Sequence, residues 1–174
     1  EKALKSAEKI NNESDMDVHL ENISFIYYLL ADYKRSLKFI NKAIVISEKN
    51  KNNFQSGEHY SFISKIYNQQ GEYKKAHKYA LKSLSLLKKT GNTRGISLAY
   101  ESLAEISLKT NNLPLSFRYI DSALNLSREV EVKYIIGNQL NLSGDLYLQN
   151  KNYAEAENQY SKALKCGIQI KNKQ

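Results

Sequence analysis

The sequence predicts an all-α solenoid of helical hairpins, and three observations carry that prediction. Only 7 glycines and 1 proline occur in 174 residues, too few to supply the turns of an all-β domain. Apolar residues recur at helical spacing, as at Tyr60, Ile63 and Tyr67 and again at Ala76, Tyr79, Ala80, Ser83 and Leu84. Four stretches of equal length, residues 23–44, 63–84, 103–124 and 143–164, align without a gap at a constant period of 40 residues. Down the aligned columns stand Tyr27, Tyr67, Ser107 and Tyr147, then Tyr33, Tyr73, Leu113 and Tyr153, then Ser36, Ala76, Ser116 and Ala156.

Taken in order, ALKSAEKINN at 3–12 matches AIVISEKNKN at 43–52 at the same offset, so residues 1–16 read as the last helix of a truncated preceding repeat. Repeats then follow at 17–56, 57–96, 97–136 and 137–174, forming one continuous array. Within each repeat the chain breaks at polar or small residues: Ala31-Asp32, Gln70-Gly71-Glu72, Asn111-Asn112 and Lys151-Asn152. Pro114 follows the third break, where the first turn of a helix accepts a residue with no N–H. The column of Ser36, Ala76, Ser116 and Ala156 marks where two helices approach closely, because ridge packing tolerates little volume there. A hairpin of this size cannot bury its own apolar face, so neighbouring repeats must cover it.

These residues resemble the tetratricopeptide repeat. The second copy fits best, with Tyr60, Ile63, Ser64, Tyr67, Gly71-Glu72-Tyr73, Ala76, Tyr79 and Ser83; the fourth follows with Leu140, Gly144, Tyr147, Tyr153, Ala156, Tyr160 and Ala163. The third is weakest, since Ser107 and Leu113 replace both tyrosines. The resemblance covers residues 17–170 and implies a right-handed superhelix. The usual period is about 34 residues, and the usual proline after the second helix is replaced by Glu48, Lys88, Arg128 and Ile168, so longer helices are expected. Lengthened repeats of this kind are similar to those of bacterial peptide-responsive regulators, sensors with helical arrays beside output domains, and kinesin-type cargo adaptors.

The resemblance also implies that first helices line a concave groove for a peptide. If Tyr60, Ile63, Ser64 and Tyr67 pack the hairpin, the opposite stripe is Ser61, Lys65 and Asn68. Its counterparts are Glu21, Phe25 and Tyr28; Glu101, Glu105 and Leu108; and Asn141, Asp145 and Leu148. The expected ligand is a protein or peptide segment with basic and apolar side chains, with Glu101 and Glu105 as its charge partners. The family's chaperone-tail clamp requires Lys, Asn, Asn, Lys and Arg converging on a carboxylate. Those positions hold Glu21, Phe25, Phe62, Leu98 and Ser102 in one frame and Ser61, Lys65, Ser102, Asn138 and Leu142 in the next, so the clamp is not expected.

The net charge is +8, and residues 57–96 alone contribute 8 basic against 2 acidic side chains. Lys74, Lys78 and Lys82 form one stripe on a second helix. A basic stripe can meet phosphate or anionic lipid, but without interleaved aromatics or a nucleic-acid motif it reads as a solvated face, and nucleic acid is disfavoured as partner. The longest apolar run, Phe25 to Ala31, is far short of a membrane span. Both ends read as cuts through a longer protein, with self-association through exposed end repeats an open outcome and a cytoplasmic location favoured over a periplasmic sensor arm.

Little in the sequence offers catalytic chemistry. His19 and His59 share a repeat position and are expected near the groove edge, His77 lies among lysines, and Cys166 reads as a small apolar filler. No phosphate loop, nucleophile elbow or dinucleotide fingerprint occurs. The expected activity is therefore non-catalytic recognition, without cofactor, metal or small-molecule substrate. The leading expectation is the sensing arm of a bacterial regulator, with a constitutive adaptor and a nucleic-acid-binding array as alternatives.

Overall fold

The computed structural model describes residues 13–171. Eight helices occupy these residues: α1 Glu13–Leu29, α2 Tyr33–Lys49, α3 Asn53–Gln69, α4 Tyr73–Thr90, α5 Thr93–Lys109, α6 Leu113–Glu129, α7 Lys133–Gln149 and α8 Tyr153–Lys171. No strand is present among the described residues. The chain divides between Thr90 and Gly91 into two compact units of two hairpins each.

One short joint recurs throughout. A residue with left-handed backbone stands at Ala31, Lys51, Gly71, Gly91, Asn111, Glu131 and Lys151, one every 20 residues. At the first joint Ala31 N–H donates to the Tyr28 carbonyl (3.0 Å) and Asp32 N–H to the Tyr27 carbonyl (2.9 Å), the paired bonds that close a helix C-terminus. The next residue then caps the following helix, where side-chain oxygen satisfies an amide with no intrahelical acceptor. Asp32 accepts from Arg35 N–H at 2.9 Å, Asn52 from Gln55 at 3.1 Å, Asn92 from Gly95 at 2.6 Å and Asn112 from Leu115 at 3.3 Å. Val132 has no such oxygen and leaves α7 without a side-chain cap.

Each hairpin crosses at its small column. Ser24 Oγ donates to the Ser36 carbonyl (2.8 Å) while Ser36 Oγ donates to the Ser24 carbonyl (2.9 Å). Ser64 Oγ reaches the Ala76 carbonyl at 2.8 Å, and Ser116 Oγ the Ala104 carbonyl at 2.6 Å. In the fourth hairpin Gly144 faces the Tyr160 ring so closely that a Cβ there would lie 2.5 Å from it. Around these crossings unit 1 buries Leu20, Ile40, Ile44, Tyr60, Ile63 and Ile66, and unit 2 buries Ile120, Leu124, Leu140 and Leu146.

The helix bounds are finer than the repeat divisions, and one histidine corrects the sequence reading. First helices begin four residues earlier than the divisions at 17, 57, 97 and 137, because Asn52 and Asn92 cap them ahead of the aromatic columns that set the alignment. Residues 13–16 therefore belong to α1, and the helix expected over 1–16 otherwise lies outside the described residues. His59 is not at the groove edge: it is 1% exposed, with Nε2 3.3 Å from Asp17 Oδ1 and Nδ1 3.3 Å from Ser47 Oγ. Burial pushes the Asp17 carboxyl above its ordinary range, against the opposing pull of His59.

Unit 2 carries the same network without titratable groups. Gln139 stands two periods beyond His59; its Nε2 donates to Ser97 Oγ (2.8 Å) and its Oε1 accepts from Ser127 Oγ (2.7 Å). Ser97 and Ser127 likewise stand two periods beyond Asp17 and Ser47. At the step between, Leu87 takes the serine position and Gly57 makes room, since a Cβ on it would lie 2.7 Å from Leu87 Cγ. Gln139→Ala is expected to destabilise the chain by about 2–3 kcal/mol in urea unfolding, by emptying a buried position that ties α5, α6 and α7 together. A loss under about 0.5 kcal/mol would show that the serines re-pair without it.

Candidate functional site

The stripe expected in the groove is half-buried or exposed at all twelve positions, with different chemistry in each unit. In unit 1 it is aromatic. Phe25 stacks on Tyr28 with ring centroids 6.3 Å apart, and Phe62 lies 6.1 Å from Phe25 and 5.5 Å from Tyr28. Lys65 Nζ sits 5.2 Å from the Tyr28 ring centroid, within range of a cation–π attraction. Glu21 turns its carboxylate towards the buried histidine, 3.7 Å from His59 Nε2. Ser61 and Asn68 are half-buried beside this cluster on the same helix.

In unit 2 the stripe is acidic. Glu101, Glu105 and Leu108 on α5 and Asn141 and Asp145 on α7 line one open cavity of about 270 Å³. Lys109, Asn138 and Leu142 complete its wall. Three carboxylates facing one recess favour a cationic side chain, and the amides and leucines give it polar and apolar footing. Asn138 and Leu142 were legible in the sequence only as positions failing the clamp, and Phe62 likewise. Their signal was adjacency: Phe62 and Leu142 occupy the same repeat column, beside the stripe.

Leu148 is not part of this recess. It lines a second cavity of about 400 Å³ with Tyr153, Ala156, Tyr160 and Leu164 on the outer side of the fourth hairpin. Leu164 is 66% exposed here, whereas Leu124, one period earlier, is 6% exposed beneath α7.

Asp145 connects the two cavities. It accepts a hydrogen bond from Tyr160 Oη at 2.6 Å, and this bond pushes the Tyr160 phenol up to about 12. A folded-state value raised above the ordinary 10 means that this bond's stabilisation is complete below pH 10 and lost as pH climbs through about 12. Phenolate absorbance during alkaline titration should show one tyrosine ionising near 12. Asp145→Asn should return it towards the ordinary range, and an unchanged titration would exclude the bond in solution.

No family model matches the sequence, and no curated protein matches it. Solved structures share the fold. The chain superposes with a TM-score of 0.81 on a signal transduction ATPase with numerous domains and a tetratricopeptide repeat sensor from Pyrococcus horikoshii, at 22% identity, over 97% of this chain and 26% of that one. On BtubC from P. vanneervenii the TM-score is 0.78 at 12% identity, covering 92% and 66%. On a Rap protein complexed with competence and sporulation factor it is 0.78 at 15% identity, covering 90% and 43%. The chain thus spans between about a quarter and two thirds of the length of these structures. The fold is an all-α, tetratricopeptide-like solenoid of antiparallel hairpins.

Proposed function

We propose that the chain is a non-catalytic module that binds a peptide or protein segment through its first helices, and that it serves as the sensing arm of a larger regulatory protein. The observation that carries the reading is the recess of unit 2, where Glu101, Glu105 and Asp145 converge with amides and leucines. The ligand it suits presents a lysine or arginine to the three carboxylates and neighbouring apolar side chains to Leu108 and Leu142 of the same recess. Structural neighbours support the class: one is described with a tetratricopeptide repeat sensor and another was solved in complex with competence and sporulation factor.

A peptide array probed with the full chain tests the reading. Enrichment of sequences that place Lys or Arg among apolar residues is the expected result, and uniform weak binding across the array would overturn it. Small-angle scattering with a recovered peptide then separates the two roles. A changed radius of gyration supports a sensing arm, in which ligand biases one of two arrangements. An unchanged radius assigns the chain to a constitutive adaptor instead.

A further inference from the structure

The second helices of unit 1 carry a charge imbalance that groove binding does not use. Helices α2 and α4 hold 11 basic residues against a single acidic one, Glu48, whereas α6 and α8 hold 5 against 4. Six of the eleven form two rows one period apart, Lys34, Lys38 and Lys42 on α2 and Lys74, Lys78 and Lys82 on α4. All six are exposed, and the i, i+4, i+8 spacing keeps each row on one side of its helix. Lys82 Nζ lies 3.3 Å from Glu48 Oε1 and 2.5 Å from Tyr60 Oη, which ties the α4 row to α2. The other five have no carboxylate within ion-pair distance among the described residues.

Two apolar side chains share this side of the helices. Val45 on α2, 66% exposed, follows Lys42 by three residues, and Leu81 on α4, 42% exposed, follows Lys78 by three. A duplex nucleic acid has no use for such tips, and these rows offer no exposed ring on which bases could stack. A lipid interface uses both features, since ammonium groups on long stems meet anionic headgroups while small apolar tips enter the interfacial layer. None of the described helices is long and apolar enough to cross a membrane, so the contact is peripheral.

We propose that the α2 and α4 face of unit 1 docks on an anionic lipid surface through its two lysine rows, with Val45 and Leu81 as apolar contacts. The full chain is expected to co-sediment with phosphatidylcholine vesicles containing about 30 mol% phosphatidylserine and not with pure phosphatidylcholine. Release by added salt should follow as screening shortens the reach of the charges. The combined change Lys34→Gln, Lys38→Gln, Lys74→Gln, Lys78→Gln is expected to lower partitioning by ~100-fold or more. Circular dichroism should be unaltered, because all four side chains are exposed. Val45→Ser with Leu81→Ser should weaken binding by roughly 10-fold at physiological salt, where apolar contact carries more of the affinity. Equal partitioning onto neutral vesicles, or indifference to the four-lysine change, would overturn the proposal. So would stronger binding to duplex DNA that the Val45 and Leu81 changes leave untouched, which would make the face a nucleic-acid surface.

Discussion

Ala76→Leu is expected to destabilise unit 1 by about 3 kcal/mol or more. Ala76 is fully buried at the crossing of α3 and α4, and its carbonyl accepts from Ser64 Oγ at 2.8 Å. A leucine there must separate the two helices, which breaks the hydrogen bond and opens the buried layer around Ile63. No rotamer relieves the clash, because the helix backbones themselves supply the opposing wall. Urea unfolding of the full chain measures the loss. Ala154→Leu is the matched control: Ala154 is exposed in the first turn of α8, so its change should stay within ~0.5 kcal/mol. Equal midpoints for the two variants would refute the crossing as a volume constraint.

The second large effect concerns binding. Glu101→Lys combined with Glu105→Lys is expected to weaken a basic peptide recovered from the array by ~100-fold or more, about 3 kcal/mol. Both carboxylates line the unit 2 recess and are half-buried, so their reversal turns attraction into repulsion where water screens poorly. Fluorescence anisotropy with the labelled peptide reads the change. Lys109→Gln, which removes the cation of the same wall, should leave affinity equal or better. If the double reversal binds as tightly as the parent chain, the recess is not the ligand's seat.

The hairpins were legible in the sequence because their constraint is local and repeated. Ser36, Ala76, Ser116 and Ala156 each meet a helix at the same depth, so the column of small residues reports the crossing directly. The joints between repeats were harder to see, although Asn52, Gly91 and Asn92 carry the signal of cap and left-handed turn. An alignment phased on aromatics gives those polar residues no weight. His59 was misplaced for another reason: it shares a column with half-buried His19, and its burial depends on Asp17 and Ser47 from two other helices. Repeat arithmetic treats every copy as equivalent, whereas the column of Asp17, Gly57, Ser97 and Gly137 alternates polar residue with glycine. The row of Lys34, Lys38 and Lys42 was available by simple offset from Lys74, Lys78 and Lys82.

The recurrence of a left-handed residue every 20 positions bears on how such a chain can grow. A duplicated segment of one helix and one joint would fit every turn it met, yet it would exchange first and second helices for all residues beyond it. The small residues that meet at each crossing would then stand opposite the wrong helix. Duplications of two helices keep the alternation. Gene length in arrays of this build should therefore change in steps of a whole hairpin, with single-helix insertions purged although no individual turn forbids them.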